Sequence, residues 1–312
     1  MISKKSCLVT GASGFIGTAV ANAFSRAGYT LFGIDPLPPE NPKLWKGFSQ
    51  RTILEADIDK LIENKNIDVI CHLAGGSSVP QSMHDPISDF GKLLPGTAKL
   101  LHWNGTSKSH ARFVLFSSAA VYGNPKSLPI DEAFAPAPIS PYGIHKHAAE
   151  VMAEGYSRMY GFDVAVLRIF SAYGPGLRKQ VVWDICKKIS DAKKCGANSI
   201  ELFGTGEESR DFIFVDDIAE AALCASQEIF SGHNTIINLG SGEEHTIRQI
   251  GESIIKAFGA NINISFSGSG RPGDPDRWLA NTHTMERIGF FPKVNLEAGI
   301  LKTVSSFINS GA

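Results

Sequence analysis

The 312-residue chain contains no apolar run approaching the roughly 20 residues that a membrane-spanning helix needs. Its start enters a strand-like pattern at once instead of a signal-peptide core, so a soluble, cytoplasmic protein is expected and a membrane partner is not. An excess of either charge is also missing: 31 acidic residues stand against 30 basic ones, which removes the global field that would draw the chain to nucleic acid. Cysteine is sparse. Cys7, Cys71, Cys186, Cys195 and Cys224 are odd in number and scattered, and no two have the spacing of a zinc or redox motif, so buried reduced thiols are expected. His145 and His147, two apart on a helix, point to different sides, and no metal is assigned. Internal repeats and low-complexity tracts are absent. These absences leave a small molecule as the expected ligand.

What is present is alternation. Short β-branched runs at 7–10, 30–34, 68–73, 112–117 and 163–168 are separated by longer helical patterns, the signature of a parallel sheet covered on both faces. The expected fold class is α/β, a Rossmann-like doubly wound parallel sheet with a smaller C-terminal α/β substrate-binding domain. Residues 1–171 plus about 212–240 would form the dinucleotide-binding part, and 172–211 with about 241–312 the second. The segment 123–141 holds five prolines and little periodicity, and reads as an ordered loop near the site.

Directly after the first strand comes TGASGFIG, with Gly11, Gly14 and Gly17 leading into a helical pattern. Strand, glycine turn and helix stand in the order that lets backbone approach a pyrophosphate at a helix N-terminus. The spacing departs by one residue from G-x-G-x-x-G. Ser13, Phe15 and Ile16 belong to the same cradle. Asp35, at the end of the second strand, is the carboxylate that would accept hydrogen bonds from ribose hydroxyls and repel a 2′-phosphate, favouring NAD over NADP; alternatively, preceding Pro36, it shapes a turn.

Two tyrosines have a lysine four residues on. Tyr122 and Lys126 are separated by Gly123, Asn124 and Pro125, which cannot hold both on one helical face. Tyr142 and Lys146 follow Pro141 and open an apolar-periodic stretch, so they lie one turn apart on one face. An ammonium close to a phenol lowers its pKa from about 10 toward the range of a general base, and the pair could move a proton to or from a hydroxyl.

Together with HLAG (His72 to Gly75), SSAAVYG (Ser117 to Gly123) and YGIHK (Tyr142 to Lys146), these motifs make the chain resemble the extended short-chain dehydrogenase/reductases, in their NAD-dependent nucleotide-sugar epimerase/dehydratase branch. The resemblance runs nearly end to end. It implies that Ser118 hydrogen-bonds the sugar oxygen at C4, that Tyr142 is the acid/base, and that Lys146 binds the nicotinamide ribose. It implies Asp57 and Ile58 beside the adenine, and Leu73, Ala74, Gly75, Ser117 and Phe170 at the cofactor. His72 would be structural. On the substrate side it implies Ser78, Ser171 and Phe203, with Arg210 and Arg271 at the diphosphate and Asp274 near a ribose. A homodimer built on two long helices, around 85–102 and from about 141, is also implied.

The same resemblance discriminates among reactions. Dehydratases of the branch follow the triad hydroxyl with Asp and Glu, and decarboxylases keep a Glu; here stand Ala119 and Ala120, and a methyl group transfers no proton. A 4-epimerase needing only Ser118, Tyr142, Lys146 and NAD fits, with a 4-keto nucleotide-sugar reductase and a non-catalytic dinucleotide-binding scaffold as alternatives. Leu93 and Ser171 stand where Asn is customary. Trp278 occupies a gate position whose bulk favours hexoses without an N-acetyl group.

Overall fold

The computed structural model describes residues 4–63, 65–76, 78–227, 234–269, 273 and 275–311. The chain opens with β1 (Ser6–Thr10), α1 (Phe15–Arg26), β2 (Thr30–Ile34), β3 (Trp45–Ser49), the single-turn α2 (Ile58–Leu61), β4 (Val69–His72), α3 (Val79–His84), α4 (Pro86–Thr106) and β5 (Arg112–Ser118). Next come α5 (Pro141–Tyr160), β6 (Val164–Ile169), β7 (Ser171–Tyr173), α6 (Gln180–Cys195), β8 (Ser199–Leu202), β9 (Ser209–Phe214) and α7 (Val215–Gln227). The chain ends with β10 (Asn234–Leu239), β11 (Glu244–Thr246), α8 (Ile247–Ala257), β12 (Asn263–Phe266), α9 (His283–Arg287) and α10 (Leu296–Asn309).

Seven strands form one sheet in the order β10-β6-β5-β4-β1-β2-β3, every neighbouring pair parallel. Strands buried on both faces read as near-continuous apolar runs, and β1 and β6 are buried at every residue. Side chains alternate between two cores. Cys7 and Val9 of β1 join Val20, Phe24, Ile218 and Ala222 of α1 and α7 on one face, while Leu8 joins Leu100, Leu101, Ala149 and Ala153 of α4 and α5 on the other. This is the doubly wound sheet expected from the alternation. The expected strands are present to within one residue at each end, and β3 is an addition: in WKGFS the strand-favouring Trp45 and Phe48 are separated by Lys46 and Gly47, so the run is short and interrupted.

From β1 the chain moves outward to β2 and β3, then crosses back to β4 on the other side. The loops after β1 and β4 therefore part at the carboxyl edge of the sheet and leave a crevice, which is where such sheets bind ligands. Opposite that edge lie two small sheets, β11-β9-β7 and β12-β8. With α6, α8 and α10 they enclose a separate core around Tyr173, Ile185, Ile189, Phe212, Ile250 and Val304.

Candidate active site

The carboxyl edge of the large sheet and the small sheets bound a cavity of about 1190 Å³. At one end, β1 turns sharply into α1. Gly11 has φ +69, and a Cβ there would stand 2.8 Å from the Ala74 amide nitrogen. A Cβ at Gly17 would stand 2.0 Å from the Gly11 carbonyl oxygen. Only glycine lets the turn close this tightly, and the space thus left free runs along the start of α1, where no side chain caps the helix. The first-turn N–H groups are directed at the cavity, together with the positive end of the helix dipole. These features fit a dinucleotide pyrophosphate.

Asp35, buried at the end of β2, accepts hydrogen bonds from the Ser13 amide at 3.1 Å and the Leu37 amide at 2.8 Å. It thus shapes the turn and also lines the cavity. Gly14, Phe15, Ile16, Gly17, Leu73, Ala74, Gly75, Ser117 and Phe170 are on the same wall. Ser13 is not: its hydroxyl donates to the Leu37 carbonyl, and it serves the site through Asp35.

Asp57 caps α2, accepting from the Lys60 amide at 3.1 Å, and Ile58 is buried in the core. Arg51, Thr52, Ile53 and Leu54, directly after β3, line the cavity.

At the middle of the cavity stand Ser118, Tyr142 and Lys146. Ser118 closes β5 and accepts from the Ala120 amide at 3.2 Å. Tyr142 and Lys146 are held by the start of α5, where the Ser140 hydroxyl accepts from the Gly143 amide at 3.2 Å and Pro141 occupies the first helical position. Gly143 packs so closely on the backbone after β5 that a Cβ would lie 2.5 Å from the Ala120 carbonyl oxygen. This contact brings the Ser118 hydroxyl to the Tyr142 phenol, whose ionised form it favours.

Charges in the site depart from the simple Tyr–Lys expectation. Burial pushes the Tyr142 phenol up to about 12, offset in part by the Ser118 hydrogen bond and reinforced by Asp89. Lys146 does not lower it: Nζ is 5.8 Å from the ring centroid and donates to the Phe116 carbonyl at 2.9 Å. Burial brings Lys146 itself down to about 8, with Asp89 and Glu150 acting in the opposite direction. His72 is structural, bridging Thr10 Oγ1 at 2.7 Å and Thr97 Oγ1 at 2.8 Å, and burial pushes it down to about 3. Tyr122, of the other Tyr/Lys pair, has its hydroxyl bonded to Asn238 and Arg168 in the core.

Toward the small sheets the wall carries Ser78, Ser171, Phe203, Arg210 and Trp278, joined by Lys179, Val181, Val182 and Asp276, which the sequence reading does not include. Arg210 Nη1 donates to the Ser209 carbonyl at 2.8 Å and the Asp276 carbonyl at 3.1 Å, and its guanidinium lies 5.6 Å from the Trp278 ring. Trp278 Nε1 donates to the Gly123 carbonyl at 2.9 Å, and the ring meets Phe170 edge-on at 6.1 Å. Arg271 and Asp274 lie outside the described residues. Among the described residues no cluster of three or more His, Cys, Asp or Glu could hold a metal ion. His145 turns to Asp89 at 2.7 Å and His147 to Glu150 at 3.6 Å.

A glycine-cradled crevice at the switch point of a doubly wound sheet, with a Tyr–Lys helix beside it, defines a dinucleotide-dependent enzyme of the short-chain dehydrogenase type. The model of the NAD dependent epimerase/dehydratase family matches residues 7–240, and the chain belongs to that family. NAD is its cofactor. The chain is 32% identical to UDP-glucose 4-epimerase of Mycolicibacterium smegmatis, over 97% of this chain and 98% of that one. UDP-glucose 4-epimerase of Thermotoga maritima, solved with UDP-glucose, superimposes with a TM-score of 0.88 at 27% identity, covering 98% of this chain and all of the other. UDP-glucuronic acid 4-epimerase of Bacillus cereus, solved with UDP-glucuronic acid and NAD, gives 0.87 at 26% identity, covering 98% of this chain and 99% of that one.

Proposed function

We propose that this enzyme is a nucleotide-sugar 4-epimerase working through a transient 4-keto sugar. The observation that carries the reading is the composition of the cavity at the end of β5: Ser118, Tyr142 and Lys146 are followed by the methyl groups of Ala119 and Ala120, the first in the core and the second on the wall. Bound NAD supplies a hydride acceptor and donor. Ser118 holds the C4 oxygen, Tyr142 takes the hydroxyl proton and later returns it, and Lys146 holds positive charge beneath the reacting centre. No carboxyl group follows Ser118 to eliminate water or assist decarboxylation, so the keto sugar has one exit: to turn and take the hydride back on its other face.

Arg210, at the start of β9 against Trp278, suits one edge of a diphosphate, and Phe203 at the rim suits a base. Arg271 and Asp274 belong to the same reading. The division at residues 1–171 plus about 212–240, against 172–211 with about 241–312, is supported in outline by the separate core of the small sheets, with Phe212 and Phe214 packed in that core and Met285, Ile288 and Phe290 in the core of the large sheet. We further propose a cytoplasmic homodimer. Ile87 and Phe90 on α4 and Ile144, Val151 and Met159 on α5 are exposed, and the two helices pack together. Light scattering after size exclusion is expected to give twice the chain mass; a monomer across micromolar concentrations would remove the dimer.

The deciding experiment incubates the purified protein, without added cofactor, with UDP-, dTDP-, GDP- and CDP-hexoses and resolves the products. Interconversion of two C4 epimers with no net change in NADH absorbance is expected, with UDP-glucose turned over faster than UDP-N-acetylglucosamine because Trp278 is fixed at the gate. Consumption of NADH on a 4-keto sugar, with no epimerisation, would make the protein a ketoreductase. Binding without any turnover would make it a scaffold.

A further inference from the structure

We propose that Arg168 is a positioning residue: a buried clamp that fixes the strand end carrying Ser118 against the helix carrying Tyr142 and Lys146. The proposal rests on those three residues forming the reacting centre, as described above. Arg168 lies in β6 and is 2% exposed. Its register partners are Ser117 of β5 on one side and Asn238 of β10 on the other, so the three side chains share one face of the sheet. From the middle of this row the guanidinium reaches both ways. Toward α5, Nε and Nη2 donate to the two carboxylate oxygens of Glu150 at 3.1 and 2.7 Å, and Glu150 also accepts from the Ser117 hydroxyl. Toward the segment after β5, Nη1 donates to the Tyr122 hydroxyl at 2.8 Å and to the Glu132 carbonyl at 3.4 Å, with the guanidinium carbon 4.7 Å from the Tyr122 ring centre. The Tyr122 hydroxyl donates in turn to Asn238 Oδ1 at 2.8 Å. Asn238 closes the network: its side-chain amide donates to the Ile130 carbonyl at 2.9 Å and its backbone amide to the Glu132 carboxylate at 2.8 Å.

Each arm of the clamp ends beside a reacting group. Ser117 immediately precedes Ser118, Glu150 follows Lys146 by one turn of α5, and Tyr122 ends the tight turn that leaves Ser118. Residues 123–140 form the loop that joins Ser118 to Tyr142, and its middle is held through Ile130 and Glu132. One guanidinium thus gathers both ends and the middle of the segment whose ends must meet in the site. Nearer the centre, Lys146 ties α5 to β5 through the Phe116 carbonyl at 2.9 Å. That bond hangs on a flexible four-carbon stem, whereas the Arg168 fork is planar and directional. The same turn packs on the cavity wall, since Tyr122 shares a buried cluster with Phe170 and Trp278. A buried ion pair adds little net stability over an apolar pair of similar volume, because desolvation cancels most of the attraction. What a bidentate pair adds here is direction: it admits one placement of α5 over the end of β5.

Two variants separate positioning from stability. Arg168→Lys keeps the charge and loses the fork; it should bind NAD as the parent does and leave KM nearly unchanged, while kcat falls by about 10–10²-fold, the cost of misplacing reacting groups by about an ångström. The double variant Glu150→Leu with Arg168→Met leaves no orphan charge, so it should melt within a few degrees of the parent and show the same loss of kcat. If Arg168→Lys does not fold, the double variant carries the test. Hydrogen exchange of peptides covering 116–123 and 140–150, read by mass spectrometry with no substrate present, should be faster in both variants than in the parent. Parental kcat in either folded variant overturns the proposal, and so does failure of both to fold, which would assign the pair to the fold alone. If the parent interconverts no C4 epimers but reduces a 4-keto sugar with NADH, the same loss read on that reaction keeps the clamp and removes the 4-epimerase reading alone. In a parent without turnover the exchange decides: faster exchange in the variants keeps the clamp, and unchanged exchange overturns it.

Discussion

Tyr142→Phe is expected to lower kcat by about 10²–10⁴-fold, the range general acid–base catalysis supplies, while NAD affinity and the melting temperature stay close to those of the parent. The phenol oxygen is the proton acceptor and donor in the proposed cycle, and phenylalanine removes it with almost no change in volume. Its loss costs the fold little because its hydrogen-bond partner, Ser118, keeps the Ala120 amide. The signs of the pH dependence follow from the site. Burial pushes the phenol up to about 12, so at neutral pH it holds its proton and the phenolate fraction grows about tenfold per pH unit. Lys146, brought down to about 8, loses its charge above that value. The rate of the parent enzyme should rise with pH up to the Lys146 titration and level off above it, where the growing phenolate fraction is offset by the loss of ammonium. In Tyr142→Phe the residual rate should lose the rising limb. A variant that keeps a tenth or more of parental kcat would take the acid/base role away from Tyr142.

The parts of this site that were legible in sequence are those fixed by neighbouring residues. Gly11, Gly14 and Gly17 are read from the turn they permit, and Tyr142 and Lys146 from a helix whose start, Ser140-Pro141, is written beside them. The parallel sheet is read from strands that are largely apolar, since burial on both faces leaves them no alternating polar side. What escaped depends on tertiary approach. The wall at Arg51 to Leu54 is set by where β3 ends, and β3 pairs with β2 despite a short and interrupted strand signal. The high phenol pKa of Tyr142 reflects burial that no Y-x-x-x-K spacing reports. Asp89 and His145 are 56 residues apart, and nothing local ties an Asp early in one helix to a His early in another.

Gly17→Ala should cost little stability and nearly all cofactor binding. Adding a methyl group in a helix gains up to about 1 kcal/mol relative to glycine. Here, however, the methyl carbon would stand 2.0 Å from the Gly11 carbonyl oxygen and 3.2 Å from the Ala12 Cα, both backbone atoms that cannot rotate aside. Gly11 is fixed in turn by its amide on the Ile34 carbonyl at 3.0 Å and by its approach to Ala74. The start of α1 must therefore swing out, breaking the Gly14 amide's bond to the Gly11 carbonyl at 3.1 Å. Overpacking of this kind costs about 1–3 kcal/mol, leaving a net loss near 1 kcal/mol and a fall in melting temperature of a few degrees. Binding suffers more. Each charge-assisted hydrogen bond to phosphate contributes about 1.5–3 kcal/mol, so misdirecting one or two amides weakens NAD by about 10²-fold or more. Gly155→Ala, in α5 with open space around its Cβ position, is the control and should gain stability without touching the cofactor. Calorimetric titration of NAD into the two variants separates the cases: equal affinity in both would show that the pyrophosphate does not sit on the turn at the start of α1.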